Sequence, residues 1–118
     1  MGTFDWPVRL AAMDGQHSAD IEATVDTGAA YTTVPARRLR DLAVEPLGSR
    51  RFLLADGRRV EMDYGRAWVT VDGETEVTLV VFGPDDAPAL LGAYTLEGLA
   101  LAVDPVEGRL VPTHLIMY

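Results

Sequence analysis

Ala23-Thr24-Val25-Asp26-Thr27-Gly28-Ala29-Ala30-Tyr31-Thr32-Thr33-Val34-Pro35 is the stretch on which the reading of this chain turns. A β-branched, strand-like approach ends abruptly in Asp-Thr-Gly. The acid follows apolar Val25, where a strand is expected to run into the core, and a carboxylate there needs hydrogen bonds or a partner to offset its desolvation. Gly28 is expected to supply the positive φ of a sharp turn, and Thr27 adds a hydroxyl and a backbone N–H beside the acid. Taken alone, the tripeptide also fits an Asx turn that merely closes a strand.

The segments on either side read as a β-rich chain. Upstream, Phe4 to Met13 is extended, with Pro7 confining its first part to an edge, and Asp14-Gly15 turns the chain into a strand from Ala19 to Val25 that delivers Asp26. Downstream, Pro35 suits the first turn of a short helix with Leu39 and Leu42 on its inner face, ended by Glu45-Pro46-Leu47-Gly48-Ser49. Strands are expected from Arg50 to Ala55 and from Arg59 to Val71, joined through Asp56-Gly57, and a further strand from Glu74 to Phe82 follows Asp72-Gly73. Along that strand Glu74, Glu76 and Thr78 alternate with Thr75, Val77 and Leu79 before the run becomes wholly apolar. Gly83 to Pro88 reads as a polar loop. Thr95 to Ala102 fits a short helix with Thr95 as N-cap, and Arg109 to Tyr118 a last strand interrupted at Pro112. Three Asp-Gly turns among short β-rich runs predict an all-β domain with one or two short helices, occupying residues 1–118 as a single unit.

Composition excludes several function classes. A formal net charge of -8 argues against nucleic acid or an anionic membrane as partner. With no cysteine there is no disulfide, thiolate metal site or cysteine nucleophile, and His17 and His114 lack companion ligands, so neither a metal nor a cofactor is expected. Ser18 and Ser49 lie in no nucleophile-elbow motif. Met1 to Pro7 lacks a basic stretch leading into an apolar run and no segment approaches a membrane span, so a cytoplasmic protein is expected. Tyr64 and Trp68 are expected to pack within the sheet or core.

A second motif, Ala89-Leu90-Leu91-Gly92, stands at the far side of the chain from Asp26-Thr27-Gly28-Ala29. Together the two resemble the retropepsin-like (retroviral-type) aspartic proteases, here a single-lobe member of bacterial or archaeal type. In that family the pair of apolar residues and glycine crosses behind the active-site loop. The resemblance implies a closed β-barrel or sandwich lobe, with Asp26, Thr27 and Gly28 as the catalytic loop. It also implies substrate contacts from Ala29, Leu91, Gly92 and a flap hairpin at Leu54, Ala55, Asp56 and Gly57.

Aspartic proteolysis requires two carboxylates sharing one proton, because neighbouring like charges do not both ionise cheaply. The chain has one Asp-Thr-Gly, so the resemblance implies a homodimer in which Asp26 meets its symmetry mate, acting on a peptide or protein substrate. The rival is a non-catalytic peptide-binding or dimerisation module of the same fold. The family's acid and arginine near the dimer contact are replaced by Ala30 and Ala93, removing both halves of an ion pair. Chain-end strands are then the expected source of association, with Phe4 to Trp6 joining Leu115 to Tyr118 across two subunits. Arg58 and Arg59 are expected to be solvated, with a preference for acidic substrate residues as the second reading.

Overall fold

The structure, a computed structural model, describes residues 3–118. Strands β1 (Asp5–Ala11) and β2 (Ser18–Val25) form a hairpin with Ala11 opposite Ser18 and Asp5 opposite Thr24. After the Asp26 loop come β3 (Thr32–Pro35), helix α1 (Ala36–Asp41), and the long hairpin of β4 (Pro46–Leu53) and β5 (Arg59–Val71). Then follow β6 (Glu74–Gly83), β7 (Leu90–Leu91), helix α2 (Ala93–Gly98), β8 (Leu101–Asp104) and β9 (Arg109–Pro112).

The principal sheet runs β1-β2-β7-β3-β6-β5-β4, and a further pairing of β1 with β5 closes it, so that every strand of this sheet but β4 belongs to a closed barrel, while β8 and β9 form a separate two-stranded sheet. β5 serves two roles along its length. Its C-terminal half pairs with β6 from Tyr64 to Val71 and with β1 from Trp68 to Thr70, inside the barrel, whereas Arg59 to Asp63 pairs only with β4. The β4–β5 hairpin therefore projects beyond the barrel wall. The turn between β5 and β6 is made by Asp72 (φ 52) and Gly73 (φ 83), the doubly left-handed geometry whose twist matches the flanking strands.

The barrel interior is aliphatic. Leu10, Val34, Leu39, Val69, Val71, Val80 and Leu91 are all buried to within 1% exposure, and β-branched residues on the pleat fill the space between strands from both ends of the chain. α1 buries Ala36 and Leu39, and Leu42 just beyond it, against this core, as its apolar spacing predicts. Pro35 ends β3 and caps the helix rather than occupying its first turn.

Several expectations are corrected. β4 begins at Pro46, through a register shift between Pro46 and Gly48, because the barrel edge offers Gly65 and Tyr64 as partners to residues that read locally as a break. The expected alternation in β6 is not realised: Thr78 is buried and Val77 is 36% exposed, since hydroxyl partners await Thr78 inside. α2 starts at Ala93 with Gly92 as its N-cap, so Thr95 lies within the helix. The final strand stops at Pro112, which lacks the N–H to continue a ladder, and residues 113–118 form no regular structure. Trp68 lies on the outer face at 36% exposure, its indole donating to the Met13 carbonyl at 3.2 Å, and is not a core residue.

Candidate active site

Asp26 lies one residue beyond the end of β2. It is half-buried at the barrel rim rather than sunk in an apolar strand, which reduces the desolvation its carboxylate must offset. The backbone N–H of Asp26 donates to the Leu91 carbonyl at 3.0 Å, and Ala29 N–H donates to the Asp26 carbonyl at 3.1 Å. Gly28 N–H donates to Asp26 Oδ1 at 2.9 Å, so the loop supplies a fixed donor to one carboxylate oxygen. This is an Asx turn in form, with the second oxygen left for other chemistry.

Gly28 does not adopt positive φ, contrary to the sequence expectation. Its value is space: a Cβ built there would stand 3.1 Å from Asp26 Oδ1 and crowd the carboxylate. Thr27 is exposed beside it, and Ala29 is half-buried.

Leu91 and Gly92 come to this loop from the opposite end of the chain. β7 pairs in parallel with β2, Thr24 opposite Leu90 and Val25 opposite Leu91, which places the two motifs side by side. Gly92 then passes so close behind the loop that a Cβ would meet Tyr31 C at 2.5 Å and Ala29 O at 2.9 Å. Immediately after it, Ala93 N–H donates to Ala29 O at 2.8 Å and Tyr94 N–H to Ala30 O at 3.0 Å. The free N–H groups that open α2 are satisfied by the carbonyls of the Asp26 loop, and the helix and the loop hold each other.

Sequence reasoning missed the network beneath this contact. Thr32, Thr78 and Thr95 are buried, with Thr95 Oγ1 lying 2.6 Å from Thr32 Oγ1 and 2.7 Å from Thr78 Oγ1. Gly92 N–H donates to Thr32 Oγ1 at 3.1 Å, and Thr78 Oγ1 reaches the Leu79 carbonyl at 3.4 Å. Thr78 has that carbonyl as an acceptor, which orders the chain: Gly92 N–H to Thr32, Thr32 to Thr95, Thr95 to Thr78, Thr78 to Leu79 O. Each hydroxyl donates once and accepts at least once, so none is left unpaired. No local signal marked it: Thr78 read as part of the polar face with Glu74 and Glu76, and Thr95 as a helix cap.

The other expected residues fall elsewhere. Leu54, Ala55, Asp56 and Gly57 form the tip of the β4–β5 hairpin, closed by Leu54 N–H to Arg58 O at 2.8 Å and Gly57 N–H to Leu54 O at 2.9 Å. Leu54 lines a groove of about 690 Å³ with Thr33, Val60, Met62, Phe82 and Leu90. Asp26 and Thr27 line a separate groove of about 600 Å³ with Phe4, Val25, Val103 and Pro105. Ala55, Asp56 and Gly57 border neither. Arg58 is not free: its Nε lies 2.7 Å from Asp56 Oδ2. The Arg58 backbone N–H, with that guanidinium, holds the exposed Asp56 carboxyl below its ordinary pKa. Among the described residues, no cluster of three or more His, Asp or Glu side chains is placed to hold a metal ion, and no helix is long and apolar enough to cross a membrane.

Comparison with solved structures shows what this architecture is similar to. The protease of EIAV, solved with an inhibitor, superposes with a TM-score of 0.62 over 93% of this chain and 93% of that one, at 17% identity. A retropepsin-like aspartic protease from Rickettsia conorii gives 0.58 over 88% and 89% at 22% identity. The protease of Simian Foamy Virus (mac) gives 0.53 over 77% and 91%, also at 22% identity. No family model matches the chain, and no curated protein matches it.

Proposed function

We propose, from the retropepsin-like fold of this chain, that it is an aspartic endopeptidase acting as a homodimer, with one Asp26 from each subunit forming the catalytic pair. The observation that carries this reading is the construction of the Asp26 loop. A rim carboxylate has one oxygen fixed by Gly28 N–H at 2.9 Å, and its loop is tied to Leu91 and Ala93 by backbone bonds, which supports its meeting a second copy there. One chain offers no second Asp-Thr-Gly acid there: among the described residues, the groove that contains Asp26 has one other carboxylate, Glu107, on the turn between β8 and β9. A two-fold axis beside Thr27 supplies the missing partner.

In the dimer the two carboxylates hold one proton between them. The ionised Asp26 takes a proton from water as the water oxygen bonds to the scissile carbonyl carbon, and the protonated mate donates its proton to the carbonyl oxygen. Collapse of the resulting gem-diol breaks the C–N bond: one hydroxyl returns its proton to the ionised mate as Asp26 gives its proton to the departing nitrogen, which restores the one-proton pair. No cofactor enters these steps. The β4–β5 hairpin closes over the peptide, and the apolar faces of Leu54, Val60, Met62 and Leu90 receive its side chains.

The surface flanking Thr27 supports dimerisation. Ala93, Tyr94 and Leu96 line a shallow apolar depression with Val77, Leu101 and the tail residues Leu115, Ile116 and Met117. The tail is exposed in one chain, Ile116 by 72% and Met117 by 89%, and it is unpaired with Phe4 to Trp6, which bond to β2 instead. Such an apolar end is covered by strand exchange between subunits. Nothing charged is needed, consistent with alanine at positions 30 and 93.

Asp26→Asn tests the proposal. Asparagine keeps the Oδ1 acceptor for Gly28 N–H, so folding and association are retained while peptide hydrolysis is lost. Hydrolysis at the wild-type rate by Asp26→Asn would place the chemistry elsewhere.

A further inference from the structure

We infer that Arg50 is a specificity-determining residue that receives an acidic side chain of the bound peptide; the inference rests on the protease reading above. The argument begins with strand alternation. In the β4–β5 ladder Arg50 stands opposite Met62, Phe52 opposite Val60, and Gly48 opposite Tyr64, and directly paired residues share a face. Arg50 therefore lies on the same face of the hairpin as Met62 and Val60, which line the groove shared with Thr33 and Leu90. An arginine on the groove side of an otherwise apolar and aromatic face needs a reason.

Its position is fixed from both sides. The guanidinium carbon stands 4.2 Å above the centre of the Tyr64 ring, and one terminal nitrogen donates to Tyr31 Oη at 3.1 Å. Tyr31 belongs to the Asp26 loop and is itself set by edge-to-face contacts with Phe52 at 6.1 Å and Tyr94 at 5.6 Å. The cation is exposed, yet it is tied to both the projecting hairpin and the loop that carries the catalytic acid, by the Tyr64 ring face and the Tyr31 hydroxyl, which restricts its motion.

No carboxylate among the described residues forms an ion pair with this guanidinium. The ion pairs among the described residues are Arg9 with Asp20, Arg58 with Asp56, and Arg109 with Asp104. The two acids of the hairpin strands, Glu61 and Asp63, stand opposite Arg51 and Ser49 in the ladder, on the other face, and Asp63 accepts from Ser49 Oγ at 2.6 Å. In a chain of net charge -8, an arginine fixed beside the groove, on the hairpin face that Met62 and Val60 share and without an acid of its own, is the feature an acidic ligand would meet. Guanidinium offers five N–H donors in a planar fork, and a single bond to Tyr31 leaves a carboxylate-binding edge open. The hairpin-tip Arg58, by contrast, is already matched by Asp56.

Binding measured on the Asp26→Asn protein separates this claim from the protease reading, because no hydrolysis is involved. Fluorescein-labelled apolar decapeptides carrying one Glu at successive positions are compared with matched Gln peptides by anisotropy. At one position the Glu peptide is expected to bind about threefold to tenfold tighter, the range of a partly exposed charge-assisted contact, with the preference shrinking as salt is raised. Adding Arg50→Met, which keeps the alkyl stem, brings the two peptides within about twofold of each other through loss of Glu binding alone. Arg50→Lys keeps part of the preference. Equal binding of Glu and Gln peptides, binding of neither, a preference unchanged by Arg50→Met, or a loss with Arg50→Lys as complete as with Arg50→Met would each overturn the assignment. Cleavage of the same peptides by the wild type is scored separately, so that absence of hydrolysis with intact selectivity refutes the protease reading and not the role of Arg50.

Discussion

Replacing Gly92 with alanine isolates the contact that holds the Asp26 loop against α2. The residue has φ -95 and ψ 173, a conformation alanine adopts freely, so the effect is steric alone. The new Cβ would lie 2.5 Å from Tyr31 C and 2.6 Å from Tyr31 O, both backbone atoms that no rotamer change can remove. Restoring ordinary contact means lengthening the first of these to 3.4 Å, a displacement of about 0.9 Å between loop and helix. Overpacking of this kind costs roughly 1–3 kcal/mol. The bonds from Ala93 N–H to Ala29 O and from Tyr94 N–H to Ala30 O, at 2.8 and 3.0 Å, weaken with the same displacement. At roughly 1 kcal/mol for a typical backbone bond, the expected total loss is about 2–4 kcal/mol in urea unfolding. Because the displaced loop carries Asp26, peptide hydrolysis falls on the order of 100-fold, the usual consequence of misplacing a reacting group by about 1 Å. Gly98→Ala is the matched control: its Cβ meets nothing within 4 Å, so stability holds or rises by up to about 1 kcal/mol. A Gly92→Ala protein with the stability and activity of Gly98→Ala would refute the claim that this crossing positions the acid.

Three further outcomes follow from the same structure. Thr95→Val keeps the side-chain shape but removes the middle of the buried hydroxyl chain, leaving Thr32 without its acceptor; a loss of about 1–3 kcal/mol in chemical denaturation is expected, and an unchanged midpoint would deny the network its role. Deleting Leu115 to Tyr118 removes side chains that are mostly exposed in one chain, so it should leave a folded protein that sediments as a monomer and does not cleave peptide; a dimeric, active truncation would refute the tail's part in association. Asp104 accepts from Glu107 N–H and Val106 N–H and lies near Arg109, and the Glu107 bond foremost holds its pKa below the ordinary carboxylate value. A lowered folded-state pKa stabilises the fold above the unfolded value, near 4, and that contribution disappears as pH falls through the folded value. The stability gap between wild type and Asp104→Asn should therefore be constant at neutral pH and close in acid, and a gap that widened on acidification would contradict the assignment.

What was legible in the sequence was local. The apolar approach to Asp26, the Asp-Gly turns and the limits of β5 at Arg59 and Val71 follow from residue chemistry within a few positions. The short strands were not legible: β7 has only Leu90 and Leu91, too few to show a period, and it exists because β2 and β3 flank it from distant parts of the chain. The start of α2 was misplaced for a related reason. Its first N–H groups are satisfied by Ala29 and Ala30 carbonyls, so no capping side chain marks its beginning and Thr95 looked like the cap. Thr95, Thr32 and Thr78 find one another across sequence separations of 63 and 17 residues, which no local pattern encodes. Gly28 is a matter of environment rather than type: glycine was expected for its backbone freedom, and the structure uses it to leave room for the carboxylate.

The central claim is that catalysis needs Asp26 from two chains, and subunit mixing tests it most directly. Wild-type and Asp26→Asn proteins are combined at constant total concentration, allowed to exchange, and assayed for peptide hydrolysis across the full range of wild-type fraction. A pair with one carboxylate lacks either the base or the acid, so mixed dimers are inactive and the rate follows the square of the wild-type fraction. A rate that falls linearly with that fraction would mean that each chain works by itself, and the shared-dyad account would be wrong.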